Sequence, residues 1–157
     1  RTCRLAATEK ERFLLFMCRL TGNRIPGRGQ MEELEVRIKK ILVVDDEEPI
    51  YAYLQRKLSK LGYSVCIAED GEEALTQAFS ELPDIILLDV KLPKLNGIEV
   101  CKRLKSNEKT KQIPVIILSA KAQSNEIAAG LNAGADRYLC KPISFSDILG
   151  EIRAYEK

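Results

Sequence analysis

Five times from residue 40 onward, a short apolar run is followed by a segment of helical spacing. The runs are 41–44, 65–68, 85–88, 115–118 and 138–140. Runs this short, bounded by turn residues, read as strands, and the stripes between them read as amphipathic helices. Ile50, Leu54, Leu58 and Leu61 define a first helical face, with Gly62 placed to stop it. Ala74, Leu75, Ala78, Phe79 and Leu82 define a second, closed by Pro83. Ile98, Cys101 and Leu104 line a third, and Ile127 and Leu131 line a fourth that ends at Gly134. Ser144 to Asp147 has the form of a capping box opening a fifth, with Ile148, Leu149, Ile152 and Tyr155 facing inward. Strict β-α alternation implies right-handed crossovers, and so an α/β fold with a parallel sheet and helices on both faces.

Strand polarity predicts the order. Runs one, three and four are wholly apolar, as strands buried on both faces must be, whereas runs two and five are short or mixed, as edges tend to be. Edges at two and five fit a doubly wound five-stranded parallel sheet of order 2-1-3-4-5, a flavodoxin-like (βα)5 domain, in which strands one and three meet at the switch point.

Open α/β sheets place their chemistry at the carboxyl ends of the strands. Asp45-Asp46-Glu47 follows run one, Asp89 run three, Ser119-Ala120 run four and Lys141-Pro142 run five. Three carboxylates converging there would repel one another: a pair roughly 4 Å apart costs about 4 kcal/mol at an effective dielectric near 20. Lys141 supplies one positive charge, and a hard divalent cation with oxygen ligands would supply two more. Taken singly, each residue has a plainer reading. Asp46 ahead of Pro49 could be a helix cap, Asp89 a turn former, Ser119 a loop hydroxyl, and Lys141-Pro142 a cis-peptide turn. Their joint occurrence at matching strand ends is what points to a site.

Charge separates a leader from this unit. Residues 1–30 carry seven Lys/Arg against two acids, while the remainder carries 18 basic against 21 acidic residues. A mildly acidic body gives no reason to expect direct nucleic-acid binding by the domain. The apolar stretch 13–18 is far shorter than the roughly 20 residues a membrane span needs, and no signal-peptide pattern accompanies it. The chain opens on Arg, and Met31 reads as a natural start. Residues 1–30 are therefore expected to be a basic leader or linker outside the domain, and 31–157 the domain itself. Five widely spaced cysteines without a C-x-x-C pair, and no histidine, argue against a Cys/His zinc site and for reduced thiols in a cytoplasmic protein. The lack of histidine also excludes a histidine phospho-donor within this chain.

The stretches Val43-Val44-Asp45-Asp46-Glu47, Leu87-Leu88-Asp89-Val90, Leu92-Pro93-Lys94-Leu95-Asn96-Gly97, Leu118-Ser119-Ala120 and Gly134-Ala135-Asp136-Arg137-Tyr138-Leu139-Cys140-Lys141-Pro142 occur in order and at matching spacing. Over residues 39–156 the chain resembles the receiver (response regulator) domains of two-component signalling and is similar to the chemotaxis regulator. Ser119 where Thr is commoner, Arg137 where a second acid is frequent and Ile143 where Phe is frequent are mild departures that remove no functional group.

The resemblance implies that Asp89 accepts a phosphoryl group from a sensor histidine kinase or phosphotransfer protein. It implies Mg2+ (or Mn2+) held by Asp46, Asp89 and the backbone carbonyl of Lys91, with Asp45 acting mainly through water. Lys141 would pair with a phosphoryl oxygen and Ser119 would hydrogen-bond another. Ser119 and Tyr138 would form the switch that remodels the face of helix four, strand five and helix five for a downstream protein or effector domain. Lys91 and Ala122 would flank the path of attacking water. The chain would thus be a signalling switch that assists its own phosphotransfer and dephosphorylation. The main alternative is a receiver-fold scaffold that is never phosphorylated; such proteins usually lack one of the acids or the lysine, all present here. An aspartate-nucleophile phosphohydrolase would instead show a D-x-D pattern after strand one. A flavodoxin-like cofactor binder would not carry an acidic loop there, where a phosphate must be cradled.

Overall fold

The apolar runs become strands one residue longer at one end or the other: β1 (Lys40–Val44), β2 (Ser64–Ala68), β3 (Ile85–Asp89), β4 (Val115–Ser119) and β5 (Arg137–Cys140). Between and after them lie α1 (Glu48–Lys60), α2 (Gly71–Glu81), α3 (Gly97–Ser106), α4 (Ser124–Asn132) and α5 (Phe145–Ala154). This computed structural model describes residues 40–156, so the expected leader 1–30 and the start at Met31 lie outside the described residues. The five strands are parallel in the order β2-β1-β3-β4-β5, as strand polarity predicts.

Side-chain alternation along each strand sorts the core into two layers. Leu42, Val44, Ile86, Leu88, Val115 and Ile117 face α2, α3 and α4. Ile41, Val43, Ile85, Leu87, Ile116 and Leu118 face α1 and α5, where Leu54, Leu58, Ile148 and Ile152 meet them. Every residue of β3 and β4 is buried, whereas β2 and β5 are half covered, which is the signature of central and edge strands.

Four residues assigned to inward faces are exposed instead: Leu61, Phe79, Leu82 and Leu131. Two of them stand past the last helical turn. Leu61 is the C-cap of α1, and Leu82 is the C-cap of α2 with a left-handed φ of 44°, so neither follows the helical period. On α4 the buried position is Gly130, one step round from Leu131. The capping box at Ser144 and Asp147 is formed, with the Ser144 hydroxyl accepting from the Asp147 N–H at 3.1 Å. The N-cap of α1 is Glu47 rather than Asp46, and its side chain makes no capping bond.

Ion pairs lock the N-terminal end of the sheet. Lys105 Nζ donates to the Ile113 carbonyl and to Asp136 Oδ2, both at 2.8 Å, and the same Asp136 oxygen accepts the Val115 N–H at 2.9 Å. One lysine thereby ties α3 to the start of β4 and β5.

Candidate functional site

At the opposite end, β1 and β3 are neighbours in register and deliver their carboxylates side by side. Asp45 follows Val44 and Asp89 ends β3; both are buried, at 3% and 7% exposure, while Asp46 is exposed. A carboxylate oxygen from each of Asp45, Asp46 and Asp89 lies within 4.8 Å of the other two. Lys141 reaches across from the β5–α5 loop, its Nζ 3.3 Å from Asp45 Oδ2 and 3.6 Å from Asp89 Oδ1. The Lys141-Pro142 peptide is cis, and the Lys141 N–H donates to the Ser119 carbonyl at 2.7 Å, which ties this loop to the end of β4. Asp45 is held at both oxygens, since Oδ1 accepts the Glu47 N–H at 2.9 Å. That bond, rather than an Asp46 cap, is what organises the entry to α1.

Charge in this cluster is unbalanced. Carboxylate oxygens no more than 4.8 Å apart repel by at least about 3.5 kcal/mol per pair at an effective dielectric near 20. Burial, and then the charges of Asp45 and Asp46, push the Asp89 carboxyl above the ordinary carboxylate range, against the opposing pull of Lys141 and the Val90 N–H. Three oxygen-donor acids facing one ammonium, with no histidine in the chain and no cysteine in the cluster, fit a hard divalent cation such as Mg2+ or Mn2+.

Glycines let the surrounding loops close. A Cβ on Gly97 would stand 2.1 Å from the Asp89 carbonyl oxygen, so the first turn of α3 rests directly on the Asp89 peptide. The loop between them, which carries the exposed Lys91, is pinned at its far end: a Cβ on Gly71 would meet the Leu95 carbonyl oxygen at 2.2 Å, and Lys94 pairs with Asp70 at 2.6 Å.

Ser119 is buried at 1% exposure, and its Oγ accepts the Lys121 N–H at 3.1 Å. Tyr138, opposite Ile117 in the β4–β5 register, turns its half-buried ring toward α4 and donates its hydroxyl to the Lys121 carbonyl at 2.9 Å. Lys121, which sequence reasoning passed over, therefore touches both expected switch residues. It is also the residue two beyond Ser119, the counterpart of Lys91 after Asp89; Ala122 is one further on. The Lys121 ammonium is engaged with Glu126 at 2.6 Å. Beside Lys141 an apolar cleft of about 380 Å3 opens between α1 and the β5–α5 loop, lined by Ile50, Tyr53, Leu54, Pro142, Ile143 and Phe145 among others.

Comparison with known proteins points the same way. The sequence model of the response regulator receiver domain family matches residues 41–153. The chain is 49% identical over 116 residues to the alkaline phosphatase synthesis transcriptional regulatory protein PhoP of Bacillus subtilis, covering 74% of this chain and 48% of that protein. It is 45% identical over 115 residues to the response regulator MprA of Mycolicibacterium vanbaalenii, covering 73% and 49%. The chain thus spans about half the length of these curated relatives. Among solved structures, the chemotaxis protein CheY4 of Vibrio cholerae superposes with a TM-score of 0.71 at 30% identity, covering 75% of this chain and 98% of that one. A CheY-like response regulator receiver domain protein from Methanospirillum hungatei gives 0.71 at 31% identity, covering 76% and 94%.

Proposed function

Since this chain belongs to the response regulator receiver family of two-component systems, we propose that it is a switch controlled by phosphorylation of Asp89. The observation that carries the proposal is the placement of Asp89, almost wholly buried beside two acids and one lysine at the carboxyl end of a central strand. A carboxylate is a weak nucleophile and needs positioning and charge compensation to form an acyl phosphate. In the transfer, an Asp89 oxygen forms the new P–O bond as the P–N bond of a phosphohistidine donor breaks and the imidazole leaves.

Asp46, Asp89 and the Lys91 carbonyl would hold Mg2+ or Mn2+, with Asp45 acting mainly through water; when bound, the cation offsets the repulsion between the acids and an incoming phosphoryl dianion. Lys141, already poised between Asp45 and Asp89, pairs with a phosphoryl oxygen as a point charge. Ser119 Oγ accepts a hydrogen bond from Lys121, which leaves its own proton to donate to a second phosphoryl oxygen. Movement of Ser119 toward the phosphoryl group pulls on Lys121 and, through the Lys121 carbonyl, on Tyr138. The face of α4, β5 and α5 is where that displacement reaches a downstream protein or effector domain.

Histidine kinases and effector domains are the partners of receivers as a family. For this chain, a kinase or phosphotransfer protein would dock on the rim beside Lys141, where the apolar cleft offers a surface. No described helix is long and apolar enough to cross a membrane. We place the switch in the cytoplasm, with residues 31–157 as the domain and 1–30 as a leader outside it.

Incubation with acetyl phosphate and Mg2+, read by intact mass, tests the proposal. A single phosphoryl adduct on the wild-type chain that is absent from Asp89→Asn supports it. No adduct would favour a scaffold that is never phosphorylated, and continuous release of phosphate would favour a phosphohydrolase.

A further inference from the structure

α4 carries a glycine at its most buried position, which its backbone does not require. Gly130 lies inside the helix, with no left-handed φ, and glycine there costs about 1 kcal/mol relative to alanine. Its surroundings supply the reason. A Cβ on Gly130 would stand 2.7 Å from Tyr138 Cδ2, 2.9 Å from Tyr138 Cε2 and 3.1 Å from Ile117 Cδ1. The tyrosine ring therefore lies directly on the helix backbone, in a seat with no room for a methyl group. Gly150, inside α5, provides the contrast: a Cβ there would meet nothing within 4 Å.

The seat is wired to Ser119 through a single residue. Lys121 donates its N–H to Ser119 Oγ at 3.1 Å, and its carbonyl accepts the Tyr138 hydroxyl at 2.9 Å. That second bond is made with the ring in its seat. A ring displaced from α4 carries its hydroxyl with it, so occupancy of the seat and the position of the Ser119 loop depend on each other.

We propose that Gly130 is a positioning residue of the switch: by leaving room for the Tyr138 ring against α4, it couples the phosphoryl site to the α4–β5–α5 face. The proposal rests on the receiver function proposed above. Because coupling between two sites is reciprocal, closing the seat weakens binding at Asp89 although Gly130 itself lies against Tyr138 and Ile117 rather than the acidic cluster.

The test uses the full chain and Mg2+ with fluoroberyllate, a phosphoryl mimic, with affinity measured by calorimetry. Gly130→Ala should bind about fivefold more weakly or worse, the lower end of ordinary allosteric coupling. Gly150→Ala, which makes the same change of residue type without a clash, should bind as the wild type does. In a Tyr138→Ala background, adding Gly130→Ala should change affinity no further, since the only close neighbour left is the Ile117 δ1 methyl at 3.1 Å, the end of a side chain that has to give by only a few tenths of an ångström. In NMR spectra the ring resonances of Tyr138 should move in Gly130→Ala as the ring leaves its seat on α4. Wild-type affinity in Gly130→Ala, or an equal loss with and without the tyrosine, would overturn the proposal alone. A wild-type chain that fails to bind fluoroberyllate would overturn it together with the receiver reading. Should Gly130→Ala alone unfold, the double variant must fold and melt like Tyr138→Ala; its failure to do so would assign Gly130 a purely structural role.

Discussion

Replacing Asp89 with asparagine should make the protein more stable when divalent cations are chelated. Asp45 and Asp46 each place a carboxylate oxygen within 4.8 Å of Asp89, worth at least about 3.5 kcal/mol of repulsion apiece at an effective dielectric near 20. Lys141 at 3.6 Å returns about 4.6 kcal/mol on the same basis. The balance is about 2 kcal/mol against the charged form, less the part that solvent screens at exposed Asp46 and more for the burial of Asp89 itself. Asparagine keeps the shape and removes the charge, while Lys141 retains Asp45 at 3.3 Å. The expected gain is on the order of 1–2 kcal/mol, or roughly 4–8 °C in melting temperature for a domain of this size.

The pH dependence has a definite sign. Asp89 has its folded pKa raised, chiefly by burial, so the folded state holds that proton more tightly than the unfolded chain does. Ionisation then costs stability as pH rises from the ordinary carboxylate range through the raised folded value. The advantage of Asp89→Asn should therefore be larger at neutral than at acid pH, shrinking as pH falls into the ordinary carboxylate range. Saturating Mg2+ should reverse the ranking, because a ligand that binds only the folded state adds about 2.7 kcal/mol at a hundredfold excess over its Kd. Thermal melts in chelator and in Mg2+, at neutral and acid pH, provide the measurement. If Asp89→Asn melts below the wild type in chelator, or if its advantage is the same at both pH values, the reasoning is wrong.

Gly97→Ala should lose about 1–3 kcal/mol in urea unfolding, the usual cost of overpacking, because its Cβ would stand 2.1 Å from the Asp89 carbonyl oxygen; Mg2+ affinity should fall with it as the Asp89 peptide shifts. Lys105→Met should cost about 1–3 kcal/mol by leaving polar partners unsatisfied, here the Ile113 carbonyl and Asp136, while acetyl phosphate labelling continues at the distant site. Cys101 should resist alkylation in the native protein far longer than Cys66 or Cys140, since its thiol is fully buried and burial pushes it up to about 11; peptide mass spectrometry after iodoacetamide treatment reads the difference.

The sheet was legible in the sequence because burial on two faces leaves a mark on composition. A strand with neighbours and helices on both sides has no position for a polar residue until it emerges, so runs 41–44, 85–88 and 115–118 could only be central. The same logic exposed the site: the first polar residues after the central strands, Asp45, Asp89 and Ser119, stand at the carboxyl edge of the sheet. What escaped detection depends on helix ends and on contacts between distant residues. The helical period predicted Leu61 and Leu82 to be inward, but both lie at C-caps, where the backbone has left the helix. Gly130 drew no notice because a hydrophobic pattern treats glycine as a blank, and its significance comes from a ring eight residues later on another element. Lys121 was invisible for a similar reason: its role is carried by its N–H and carbonyl, which any residue would supply.

The two ends of the sheet use the same residue types to opposite effect. At the N-terminal end Lys40 meets Glu81 at 2.7 Å and Lys105 meets Asp136 at 2.8 Å, and each acid faces a lysine of its own. At the C-terminal end a single lysine, at 3.3 and 3.6 Å, is shared between two buried acids with a third carboxylate close by. This end is not short of hydrogen bonds: among the described residues, every fully buried side-chain nitrogen or oxygen has a partner. What it lacks is positive charge. A polar ligand would relieve nothing there, an anion arriving alone would add to the repulsion, and a divalent cation would balance it. A phosphoryl group, itself an anion, becomes tolerable on Asp89 only with that cation and Lys141 both in place. On the function proposed above, each phosphorylation event would shift charge in this cluster, beside the Ser119–Lys121–Tyr138 chain. On that proposal the charge deficit at the C-terminal end would both call for the cation and set the size of the electrostatic change that the switch transmits.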